Sequence, residues 1–146
     1  MRAVAMTKIL IPVDFSSTSL SALAHAEELA NRSGAELLLL TVIEPVIAPV
    51  DFNVAAIIEV NQTEQMAAKL EKLRKTAVRQ GVSTVTLMGE GEPAAVIVSA
   101  AAEQHCDLIV MGTHGHSGFR RLLLGSKTER VVRGAACPVL TVGPSH

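Results

Sequence analysis

The sequence predicts an α/β fold, a five-stranded parallel doubly wound sheet in the order 3-2-1-4-5, and two observations carry that prediction. Short apolar runs of strand length alternate with longer stretches whose apolar residues recur at helical spacing. The apolar runs are also nearly continuous, as in strands covered on both faces. Parallel neighbours need crossover connections, and right-handed helical crossovers cover both sides of the sheet. The order 3-2-1-4-5 is the natural one for five such strands. It sets the carboxyl ends of the first and fourth strands side by side, where ligands of open α/β sheets bind.

The first strand is Lys8 to Val13, ended by Asp14 and by Ser16 to Ser19, a stretch rich in helix N-caps. Leu20, Leu23, Ala24, Ala26, Leu29 and Ala30 then mark a helix from Leu20 to Arg32, stopped by Gly34. Glu36 to Ile43 is the second strand. Pro45 and Pro49 interrupt the next stretch, so Glu44 to Val60 reads as a variable loop or partial helix. Gln62 to Gln80 is helical, with Met66, Leu70, Leu73 and Ala77 on one face and charged residues on the others, and Gly81 ends it. Val82 to Met88 is a third strand. Gly89 to Glu92 turns the chain, and Pro93 opens a helix that runs to about Gln104. Asp107 to Met111 is the fourth strand, Ser126 to Gly134 the last helix and Pro138 to Val142 the fifth strand, placed at a sheet edge. The chain reads as one domain, 1–146, with residues 1–5 as a disordered extension.

Composition narrows the function classes. A 146-residue chain with 49% hydrophobic residues can bury a core of its own. Its formal net charge of -1 draws it toward neither nucleic acid nor anionic lipid. Aromatic content of 2% leaves few platforms for stacking single-stranded bases. No run is long enough for a membrane span or a signal segment, which points to a cytoplasmic protein. Cys106 and Cys137 form no CxxC pair and no metal-ligand cluster, so they read as reduced thiols that behave as small hydrophobes.

Chemistry concentrates between the fourth strand and the last helix. From Gly112 the chain reads Gly, two residues, Gly115, nine residues, Gly125, then Ser126. Glycines permit close backbone approach, and a helix starting at Ser126 points N–H groups and a positive dipole end at an anion. The hydroxyls of Ser126 and Thr128 suit phosphate oxygens, and Lys127 could add charge. Arg120 and Arg121 read better as a solvated pair. His114 and His116 lack a third ligand for a metal site, so loop structure or ligand contact explains His114 better. Asp14 stands between two readings, a local one in which it caps the first helix or turns the chain, and a ligand contact.

The segments ILIPVDFS, MGTHGHSG and LLLGSKTERVVRGAACPVLTV resemble the universal stress protein family, in its ATP-binding branch, and the resemblance runs from Ile9 to Val142. It implies an adenine nucleotide alpha hydrolase-like fold. It also implies that Pro12, Val13, Asp14 and Val42 hold adenine and ribose, with Met111, Gly112, His114 and Gly115 along the ribose and first phosphate. Gly125, Ser126 and Thr128 would take the remaining phosphates, with Lys127 beside them. The implied cofactor is ATP, with Mg2+ or Mn2+ held mainly by the phosphates. The implied assembly is a homodimer through Pro138 to Val142. The function expected is nucleotide-dependent binding in stress response or signalling. Two alternatives stand beside it: a slow ATPase or phosphoryl-transfer enzyme, and a nucleotide-free interaction module. The first lacks a Walker sequence and a convincing acidic pair beside the loop; the second is disfavoured by the complete glycine pattern.

Overall fold

A computed structural model describes residues 5–45, 51–114 and 124–144. Its elements are β1 (Lys8–Pro12), α1 (Ser17–Ser33), β2 (Glu36–Ile43), α2 (Phe52–Arg79), β3 (Thr84–Glu90), α3 (Pro93–Glu103), β4 (Leu108–Gly112), α4 (Ser126–Gly134) and β5 (Val139–Val142). The strands form one sheet in the order β3-β2-β1-β4-β5, and every pairing is parallel.

The two-residue period of a strand divides each apolar run between two cores. Ile9, Ile11, Leu37, Leu39 and Val110 pack with Ala22, Ala26 and Ala30 of α1 and with Leu70 and Ala77 of α2. Their neighbours Leu10, Leu38, Leu40, Ile109 and Met111 pack with Ala94, Ile97 and Ala101 of α3 and with Val131 of α4. The leucine run Leu37–Leu40 therefore serves both faces, which is why it shows no polar alternation. Cys106 belongs to the second core, and burial pushes its thiol up to about 11, as suits a packed, unreactive cysteine.

Beyond one-residue shifts at element ends, three elements differ from the sequence-based expectation. α1 begins at Ser17, three residues ahead of Leu20, because Ser16 caps it. The helix expected from Gln62 begins at Phe52, where Asp51 accepts a hydrogen bond from the Asn53 N–H at 3.3 Å. Its first turns are apolar on all sides, with Phe52 83% and Ile57 61% exposed, so no amphipathic period reveals them. Residues 46–50 of the segment read as a loop or partial helix lie outside the described residues, as do residues 1–4 of the expected extension.

The third strand is displaced toward its carboxyl end. Val82 is still held by the end of α2, its N–H bonded to Ala77 O at 3.0 Å. Gly89, read as a turn residue, pairs with Val42 within the sheet. A Cβ there would stand 2.5 Å from Val96 Cγ1, so this glycine makes room for α3. Among the described residues no helix is long and apolar enough to cross a membrane.

Candidate functional site

β1 and β4 are neighbours at the centre of the sheet, so the chain segments leaving their carboxyl ends start from adjacent positions. Beyond β1, Val13 is buried; its N–H donates to Leu40 O at 2.8 Å and its carbonyl accepts from the Thr41 hydroxyl at 3.0 Å. Pro12 pairs with Leu40 at the strand end, and Val42 lies half-buried on the next strand. Asp14 then emerges exposed, and Phe15 reverses the chain with a left-handed φ of 64°. Asp14 Oδ1 accepts from the Ser16 N–H at 2.9 Å and from its hydroxyl at 2.5 Å. Ser16 Oγ in turn caps α1 by accepting from the Ser19 N–H at 3.2 Å. The turn-forming reading of Asp14 is thus real, and it also fixes a carboxylate at the strand end.

Beyond β4, Gly112 is pressed against α1. A Cβ at this position would lie 3.0 Å from the backbone carbon of Thr18 and from its Cβ and Oγ1. The Thr18 hydroxyl donates to His114 O. His114 is half-buried, its Nδ1 3.1 Å from Thr113 Oγ1. The returning chain closes on the same point, because the Gly125 N–H donates to Thr113 O at 2.7 Å and the Thr128 hydroxyl to Gly112 O at 2.9 Å. Gly112–His114 and Gly125–Thr128 therefore form a tied neck. Gly115, Arg120 and Arg121 fall outside the described residues.

Residues expected from the sequence separate into three groups here. Pro12, Val13, Asp14, Gly112, His114, Gly125 and Ser126 line or flank the two strand ends. Met111 and Thr128 are placed differently from the expectation of direct contact. The Met111 side chain fills the second core, and its backbone pairs with Thr141 of β5. Thr128 is 3% exposed and its single hydroxyl proton is given to Gly112 O, so it holds the neck together. Lys127 points to a partner that the sequence did not disclose. Its Nζ lies 2.8 Å from Glu44 Oε1, both side chains being more than half exposed. Ser16 and Thr18 were visible in the sequence only as cap-type residues, because the contact from Thr18 to His114 spans 96 positions.

Helix starts differ at this end of the sheet. Ser16 caps α1, and Glu92 caps α3 through Ala94 and Ala95. α4 begins after Gly125 with no side-chain cap among the described residues. Two cavities of about 370 and 380 Å³ lie between β3 and α3 and between α1 and β5, and neither is lined by Asp14, Gly112 or His114. The strand ends remain the better candidate, because there a carboxylate, a glycine neck and a helix start with a glycine N-cap come together.

A family model described as the universal stress protein family matches residues 6–143. The chain belongs to that family. Universal stress protein MJ0531 of Methanocaldococcus jannaschii is 43% identical over 138 residues, covering 92% of this chain and 81% of the relative. Universal stress protein YxiE of Bacillus subtilis is 33% identical over 145 residues, covering 92% and 97%. The solved structure of MJ0577 superposes with a TM-score of 0.89 at 31% identity, covering 98% of this chain and 99% of that one. A universal stress protein solved in complex with cAMP superposes with a TM-score of 0.74 at 26% identity, covering 97% and 100%. The five-stranded order 3-2-1-4-5 is thus the fold of the family as well as of this universal stress protein.

Proposed function

We propose that this universal stress protein binds ATP across the carboxyl ends of β1 and β4 and acts through nucleotide-dependent binding in stress response or signalling. The observation that carries the reading is the start of α4 at the neck of the glycine loop, where the N-cap is Gly125 and no side chain among the described residues caps the helix. Such a start offers oriented N–H donors and a positive dipole end, which a phosphate group satisfies well. In this reading Pro12, Val13, Asp14 and Val42 hold adenine and ribose. Gly112, His114 and Gly115 carry the chain along the ribose and first phosphate, with Met111 contributing only backbone. Gly125 and Ser126 meet the outer phosphates. Thr128 supports them from below, and Lys127 adds charge when it leaves Glu44. A relative solved with cAMP supports an adenine nucleotide as the ligand class.

Mg2+ would enter with ATP and take its ligands from the phosphates. Asp14 Oδ1, the carboxylate oxygen described at this end, is already engaged by Ser16. Calorimetric titration with ATP, ADP, AMP and cAMP tests the reading. Wild type should bind ATP; Gly115→Val should lose most of the affinity by filling the backbone's approach, and Ser126→Ala should weaken it about tenfold, the worth of roughly one hydrogen bond to a charged group. Absence of heat with wild type, or equal binding by Gly115→Val, would reject it.

The reading extends to assembly and compartment. β5 is an edge strand with Leu140 42% exposed, and edge strands of this kind pair readily with a second copy. Light scattering at micromolar concentration should give the mass of a cytoplasmic homodimer joined through residues 138–142, and a monomer mass would remove that part of the proposal.

A further inference from the structure

We infer that Thr18 is a positioning residue that holds the neck of the glycine loop for phosphate, while a separate hydrogen bond holds Asp14. The inference rests on the ATP reading for its ligand, and on hydrogen-bond geometry for the rest. Thr18 sits in the first turn of α1, 9% exposed. It touches β4's exit in two ways: its hydroxyl donates to His114 O, and its backbone and side chain abut Gly112 so closely that a Cβ there would lie at 3.0 Å. Gly112 and Thr113 are the residues on which the returning chain closes, through Thr128 Oγ1 and the Gly125 N–H. Thr18 therefore fixes the point from which the α4 start is aimed.

Proton accounting separates this contact from the one at Asp14. Ser16 Oγ and Thr18 Oγ1 stand 3.3 Å apart, which suggests one continuous chain from Asp14 to His114. Each hydroxyl, however, has a single proton. That of Ser16 goes to Asp14 and that of Thr18 goes to His114 O. With both protons committed outward, the 3.3 Å contact between them carries none. Removing the Thr18 hydroxyl should therefore release the loop neck and leave Asp14 held.

This division yields a specific pattern. Thr18→Val keeps the shape and removes the donor, whereas Thr18→Ser keeps the donor. Thr18→Val should bind ATP about tenfold more weakly, as expected from losing one buried hydrogen bond that aligns several others. It should bind adenosine within about twofold of wild type, because no phosphate contact is involved. Thr18→Ser should resemble wild type with both ligands. In ligand-free protein, hydrogen exchange of the Gly125 amide should quicken about tenfold in Thr18→Val and stay unchanged in Thr18→Ser. Equal weakening of ATP and adenosine would overturn the inference, as would unchanged Gly125 exchange in Thr18→Val or a Thr18→Ser variant as impaired as Thr18→Val. If wild type binds neither ligand, the ATP reading fails, and Gly125 exchange alone still decides whether Thr18 positions the neck.

Discussion

α3 and α4 pack on the same face of the sheet, and each starts just beyond the carboxyl end of a strand, yet their first turns are satisfied differently. At α3 the chain supplies its own anion. Glu92 accepts from the Ala95 N–H at 2.8 Å and the Ala94 N–H at 3.2 Å, with Pro93 needing no partner. These backbone donors, chiefly that of Ala95, hold the Glu92 carboxyl below its ordinary range, with nearby Arg130 adding to the effect. At α4 the corresponding place is taken by Gly125, which has no side chain to offer, and among the described residues no side chain caps the helix. One helix start is closed by the carboxylate of its own N-cap residue, and the N-cap residue of the other carries none. The first shows within the same molecule what a carboxylate does at such a place, and a phosphate would do the same at the second.

The comparison can be broken most forcefully by giving α4 an anion of its own. Ser126→Asp places a carboxylate in the first turn, where it favours the helix dipole and repels an incoming phosphate. Melting temperature should hold or rise slightly, while ATP affinity falls by about a hundredfold or more, the combined loss of a hydroxyl contact and gain of charge repulsion. The two readouts move in opposite directions. A variant that binds ATP as wild type does would show that the start of α4 is not where the phosphates lie.

Much of this contrast was legible in the chain. Pro93 after an acidic residue and Gly125 before Ser126 are both helix-start signals, and the bounds of α4 and β2 follow them and the Glu36–Ile43 run. Strand and helix alternation gives the parallel sheet, and the order 3-2-1-4-5, the natural one for five such strands, is the order the sheet adopts. What escaped was whatever depends on contacts distant in sequence. Lys127 meets Glu44 across 83 positions, and Thr18 meets His114 across 96; neither has a local pattern. The resemblance implies ligand contact for Met111 and the hydroxyl of Thr128 suits phosphate, yet the two-residue period of β4 and the helical turn of α4 carry both side chains inward. The first turns of α2 escaped for the opposite reason, since an all-round apolar segment after two prolines has no face to recognise.

The smaller test lies at α3, where the anion can be withdrawn. Glu92→Gln retains the shape of the cap and removes its charge, leaving the N–H groups of Ala94 and Ala95 with a weaker acceptor and Arg130 without its partner at 3.3 Å. The melting temperature should fall by about 2–4 °C, a size typical of one weakened cap in a chain of this length. Because the folded state holds the Glu92 carboxyl below its ordinary value of 4.5, the folded protein binds this proton less readily than the unfolded chain. Its contribution is therefore complete above that value and is lost as pH falls through the lower folded one. The difference between wild type and Glu92→Gln should be full at neutral pH and should close as the solution is taken below 4.5. ATP affinity should stay unchanged, since Glu92 caps α3 beyond β3 and is not among the residues proposed to hold the nucleotide. Equal melting temperatures of the two proteins at neutral pH would mean that Glu92 supports α3 by shape rather than by charge, and the likeness between its carboxylate and a bound phosphate would then be lost.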